Sequence, residues 1–214
     1  MVGVRVGAAH GADDLAVDDD RGLAHPLDDR THVGRLARVD TMDPMAFEIP
    51  ADLHPDVAPL AWLLGTWHGN GRGDYPTIEP YSFEQDVVLA HDTRPFLHYF
   101  SRSWVTDESG ERIGPGDLET GFLRPAGLVE GGKGINVELV LAHPTGYAEV
   151  WYGVAEGPRI TLATDIVART QSAAEYTAGQ RMYGLVDGSL MYAIDKAAEG
   201  QTMQSHLWGK LARV

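Results

Sequence analysis

Downstream of residue 65, apolar and polar positions alternate in short runs, which is the period of strands with one buried face. Residues 81–90 set Tyr81, Phe83, Val87 and Leu89 on one side, and residues 96–105 are aromatic and β-branched through their middle. Further runs at 118–123, 135–141, 147–154, 160–168, 174–185, 189–194 and 203–212 read the same way. Turn chemistry separates them, as in Asp107-Glu108-Ser109-Gly110, Pro144-Thr145-Gly146 and Asp187-Gly188. With residues 66–73 as the first, the pattern predicts about ten strands joined mostly by short hairpins. Ahead of them, residues 55–64 predict a short apolar helix that ends at Gly65. Hairpin-linked strands without intervening helices specify an all-β, antiparallel up-and-down β-barrel, because closure removes the exposed edges. A barrel of somewhat more than eight strands has room for a ligand.

The first 44 residues do not share this pattern. They hold no Lys, Glu or aromatic residue, and nine Asp against five Arg leave them too polar to bury a core. They read either as a disordered tail or as upstream sequence ahead of a start at Met42 or Met45, which leaves residues 45–214 as the single barrel domain. The 214 residues include no cysteine, so disulfides, thiolate-ligated iron and a cysteine nucleophile drop out. A net charge of −14 disfavours nucleic acid and anionic membrane surfaces as partners. With no run of about 18 apolar residues and no signal-peptide core, a soluble cytoplasmic protein is the expectation.

The run Gly65-Thr66-Trp67-His68-Gly69-Asn70-Gly71 has a structural reading: a bent first strand whose glycines permit curvature while Trp67 plugs the barrel floor. Lipocalin-like and fatty-acid-binding-like barrels begin in a comparable Gly-x-Trp manner. Gly127-Leu128-Val129-Glu130-Gly131-Gly132-Lys133 has the outline of a phosphate-binding loop, but it continues into Gly134 and a strand, so it reads as a hairpin turn. Gly-x-Ser-x-Gly, His-Glu-x-x-His and EF-hand spacings are absent, which leaves hydrolase and zinc-enzyme readings without a motif. Of the nine histidines only His98 and His206 fall in mid-strand, and spacing alone singles out neither.

Four stretches then carry a resemblance. They are Gly65 to Gly71 with Asp74-Tyr75-Pro76-Thr77-Ile78 behind it, Glu119-Thr120-Gly121-Phe122-Leu123-Arg124-Pro125, Leu141-Ala142-His143-Pro144-Thr145-Gly146, and Met203-Gln204-Ser205-His206-Leu207. In this order, from about Leu53 to Val214, the chain resembles the nitrobindin family of heme-binding β-barrels. The resemblance implies one heme b per subunit in the barrel mouth, with His206 as the axial iron ligand and Thr77 as a heme contact. It implies a ferric iron that reacts with NO and peroxynitrite and isomerises peroxynitrite to nitrate, so the iron itself is the catalytic group. A homodimer is compatible with it.

Gly116-Asp117 stands where some relatives have an apolar residue followed by His on the distal side, which leaves that wall open. Met203, Leu207, Trp208 and Leu211 are expected to form an apolar wall for the porphyrin. Strict alternation, however, puts His206 on the polar face of Gln204, Trp208 and Lys210. Either the lumen is partly polar or a bulge shifts the register. Two alternatives remain beside the isomerase: a non-catalytic barrel that carries a fatty acid or similar apolar ligand, and a heme-based NO sensor.

Overall fold

The computed structural model describes Phe47–Val214. The readings of residues 1–44 and of a start at Met42 or Met45 fall outside the described residues. The helix ahead of the strands is a 3-10 helix, Pro55–Leu63. Val57, Leu60 and Leu63 recur at every third position and are all buried, which suits three residues per turn, and Pro59 has no amide to lose inside it. The indole Nε1 of Trp67 donates to the Leu63 carbonyl at 2.8 Å. The Arg213 guanidinium donates to the carbonyls of Leu64 and Trp62 and lies 4.1 Å over the Trp67 ring. The first and last strands thus pin the helix across the barrel floor, as the plug reading of Trp67 expects.

Ten strands follow: β1 (Gly65–Tyr75), β2 (Ile78–Ala90), β3 (Leu97–Thr106), β4 (Arg112–Leu128), β5 (Ile135–Ala142), β6 (Tyr147–Glu156), β7 (Arg159–Arg169), β8 (Tyr176–Val186), β9 (Ser189–Ala198) and β10 (Gln204–Arg213). Each pairs antiparallel with its neighbour in sequence, and β10 returns to β1 to close the barrel. The run read at 118–123 is only the middle of β4, which extends over 17 residues. Period-2 alternation sends Trp67, Leu97, Leu139, Ile160, Leu190 and Leu211 inward to a core in which each is at most 2 % exposed. The helix lies at the end where β1 begins. The opposite end carries the turns at 76–77, 107–111, 143–146, 170–175 and 199–203, and there the barrel opens.

The glycines of β1 act by making room. A Cβ on Gly71 would come within 2.3 Å of the Phe83 ring and 2.5 Å of the Trp208 carbonyl, and one on Gly73 within 2.3 Å of the Tyr81 ring. Two aromatic rings from β2 therefore lie against bare backbone, where any side chain would have displaced them. Gly71→Val should destabilise the barrel by roughly 1–3 kcal/mol through overpacking. At about 2–4 °C per kcal/mol for this chain length, a thermal melt should show a clear loss, and an unchanged melting temperature would contradict the packing.

Candidate functional site

A cavity opens at the mouth end, with Phe83, Ile194 and Leu207 among the residues that line it. His206 lines it, although a strict strand would have turned that residue outward. The cause is a bulge. Ser205 pairs with Asp195 and Leu207 with Ile194, so His206 has no partner on β9 and both His206 and Leu207 face the lumen. A second irregularity lies beside it on β1, where Gly73 pairs with Tyr81 and Tyr75 with Ile78, so that Asp74 is skipped. The Asp74 carbonyl sits 3.1 Å from His206 Nδ1. A carbonyl only accepts, so Nδ1 carries the proton and Nε2 keeps its lone pair.

The Tyr75 ring packs edge-on against the imidazole at 5.5 Å. Its hydroxyl is anchored between the Ala198 amide, at 2.9 Å, and the carbonyls of Lys196 and Ala198, each at 3.2 Å. Burial first, and then the Lys196 charge, lower the His206 pKa to about 4, so the ring is neutral at pH 7.

The other residues named from the sequence divide. Asp117 lines the cavity with His206, and its amide donates to Ser103 Oγ at 2.9 Å. Protein crowding, then the Glu119 charge, raises the Asp117 carboxyl above its ordinary range. Gly116 lies against Ser103, where a Cβ would meet Oγ at 2.4 Å. Thr77 is exposed in the turn between β1 and β2, at the mouth but outside the cavity lining. His98 is on the outer surface, bonded to Asp92 at 3.1 Å and packed with Phe96 and Phe122. The expected apolar wall needs correction. Only Leu207 of that set lines the cavity: past the bulge Trp208 points outward, Leu211 belongs to the floor core, and Met203 is exposed in the turn before β10. Phe83 and Ile194 supply the apolar lining instead.

Between floor and cavity lies a buried polar layer that the sequence reading did not identify. Arg181 donates through both terminal nitrogens to Glu119, at 2.8 and 2.7 Å. Tyr99 donates to the same carboxylate at 2.7 Å. Glu149 accepts from Trp151 Nε1 at 3.2 Å, with His143 Nε2 at 2.8 Å and Arg181 at 3.5 Å. Glu119, His143 and Glu149 bring ligand atoms within 4.8 Å of one another, which is metal-site spacing. Arg181 pairs with both carboxylates and His143 Nε2 already meets Glu149, so these ligand atoms are committed to one another in an ion-pair layer. Glu119 and His143 lie within two of the four motifs quoted above, and strand parity alone would have turned Glu119, Glu149 and Arg181 inward.

The sequence matches the THAP4-like, heme-binding β-barrel domain over residues 56–213. The chain belongs to the nitrobindin family of heme-binding β-barrels. Among its relatives, a peroxynitrite isomerase of Nocardioides is 53% identical over 171 residues, covering 79% of this chain and 99% of the relative. A ferric nitrobindin-like protein of Kineococcus radiotolerans is 45% identical over 183 residues, with coverages of 79% and 99%. The crystal structure of Rv2717c from M. tuberculosis superposes with a TM-score of 0.65 at 36% identity, covering 76% of this chain and 99% of that one.

In this nitrobindin barrel the residues present fit a heme. A neutral imidazole with its lone-pair nitrogen free and its other nitrogen fixed by a carbonyl is the usual form of a histidine iron ligand. Phe83, Ile194 and Leu207 give the cavity an apolar side, against which a porphyrin face would pack.

Proposed function

We propose that this barrel holds heme b through His206 and, in the ferric state, isomerises peroxynitrite to nitrate. The observation that carries the reading is the paired irregularity in β1 and β10, which turns His206 into the cavity and gives its Nδ1 the Asp74 carbonyl. When bound, the group supplies a Lewis-acidic iron with one position open to an anion. The chain's own part is to bind, orient and exclude. Asp74 and Tyr75 fix the imidazole plane, so the Nε2 direction is set before the cofactor arrives. Phe83, Ile194 and Leu207 keep water from one side of the cavity, the side on which a bound anion would be shielded. Lys196, beside His206, places a positive charge in a cavity that Asp117, Glu119, Glu149, Glu175 and Glu199 line together with Arg181.

Stopped-flow decay of peroxynitrite separates the outcomes. Hemin-loaded protein should accelerate the decay over the heme-free chain and raise the nitrate yield. Equal rates in both would remove the isomerase reading. If a ferric Soret band appears without acceleration, heme carriage or NO sensing becomes the better account.

A further inference from the structure

His143 occupies the turn after β5 and lines the same cavity as His206. Around the closed barrel β10 is separated from β6 by β9, β8 and β7, and from β5 by β1, β2, β3 and β4. The β5–β6 hairpin therefore stands on the wall opposite His206, at the same mouth end. Glu149 fixes the ring: His143 Nε2 is 2.8 Å from its Oε2 and 3.8 Å from Glu119. Glu149 cannot swing away, because it is 1% exposed and also accepts from Trp151. His143 Nδ1 makes no hydrogen bond among the described residues, while the side chain keeps 15% of its surface. A buried carboxylate orienting an imidazole whose second nitrogen is unspent, in a ligand cavity, is the arrangement of a donor aimed at a ligand.

We infer that His143, oriented by Glu149, donates a hydrogen bond through Nδ1 to an anionic ligand held across the cavity from His206. The inference rests on the heme reading above and adds the residue that meets the ligand. A carboxylate only accepts, so Nε2 spends its proton on Glu149, and Nδ1 carries one only in the imidazolium. The groups around the ring favour that form on balance. They are Glu119 and Asp117 from β4, Glu149 and Tyr147 from β6, and Arg181 and Tyr176 from β8. Two buried carboxylates against one guanidinium leave a negative charge that His143 neutralises when protonated. Burial alone would lower the His143 pKa; the Glu149 hydrogen bond and the Glu119 and Glu149 charges outweigh both burial and Arg181 and raise it. Lys196 cannot take this place, since β9 adjoins β10 on the His206 side.

Fluoride tests the inference, because it binds ferric heme and strengthens when a neighbouring group donates to it. The full chain, loaded with hemin, is titrated with fluoride as wild type, His143→Leu, His143→Gln and Glu149→Gln. His143→Leu should weaken fluoride by about tenfold or more, the scale of one hydrogen bond from a charged donor. His143→Gln, which keeps an N–H, should lose less. Wild-type affinity should fall as pH rises through the His143 pKa, and that step should vanish in His143→Leu. Equal affinities and equal pH profiles in wild type and His143→Leu overturn the inference while leaving the heme reading intact. If His143→Leu does not fold, an unchanged affinity and profile in Glu149→Gln overturns it instead. A wild-type chain that takes up no hemin overturns both.

Discussion

His206→Ala should abolish hemin uptake and leave the β-sheet circular dichroism unchanged. Two histidines line the cavity, and their environments assign them opposite roles. His206 is kept neutral, its pKa lowered to about 4 by burial and Lys196, and its Nε2 lone pair is available. His143 spends Nε2 on Glu149 and is pushed towards the imidazolium, which has no lone pair to give. Losing the iron ligand should cost more than the roughly 10–100-fold in affinity that follows loss of an outer partner such as the Asp74 carbonyl. The fold should tolerate the change. His206 makes one hydrogen bond at the barrel mouth, worth about 0.5–1.5 kcal/mol, and water can satisfy the exposed Asp74 in its place. Soret titrations of wild type, His206→Ala and His143→Ala decide the matter. Hemin bound by His206→Ala with an unchanged Soret band would make the ligand assignment wrong, and His143→Ala should retain the cofactor.

Arg181→Leu should be the most damaging single change to stability. Arg181 is 5% exposed, and it faces Glu119 at 8% and Glu149 at 1%. Removing the guanidinium leaves two buried carboxylates with one histidine between them, and breaking such a pair typically costs about 3–5 kcal/mol. At about 2–4 °C per kcal/mol, the melting temperature should fall by roughly 6–20 °C near pH 7. The pH dependence has a definite sign. Burial alone would raise the Glu119 pKa, but Arg181 outweighs it and holds the carboxyl at about 2, against an ordinary 4.5. A depressed carboxylate contributes stability that is complete above pH 4.5 and is lost as pH falls towards 2. The gap between wild type and Arg181→Leu should therefore narrow through that window, and Glu119→Gln should partly rescue the variant at neutral pH. Melts that differ by less than a degree at neutral pH would show that the ion pairs contribute little. A gap constant with pH would assign the damage to lost packing.

Two kinds of information separate in this chain. Local and periodic features were legible without coordinates. Alternation of apolar and polar residues, with turn residues between the runs, is enough to specify ten antiparallel strands, because side chains reverse face at every step and a half-buried sheet needs one apolar face. Trp67 at the floor and the short helix ahead of it were legible on the same grounds. The role of the β1 glycines was legible only in part. Their absence of side chains is a sequence fact, but the rings of Phe83 and Tyr81 that fill the space come from another strand.

The site lay beyond that reach. Alternation by itself placed His206 on the outer face with Trp208, and one bulge turns His206 inward while Trp208 stays outside; the expected apolar wall failed because Trp208 faces outward and Leu211 faces inward only at the floor. A bulge has no sequence signature here: it depends on how β10 registers against β9 and β1, and one extra residue reverses the facing of its neighbour. Similarly, Arg181 and Glu119 are 62 residues apart, and only barrel closure brings them together. Strand number, the floor and the family resemblance were therefore settled by the sequence. Which face His206 takes, what holds its ring, and where the buried charges meet were decided by the tertiary structure, since register and closure are properties of strands paired with one another and not of any strand alone.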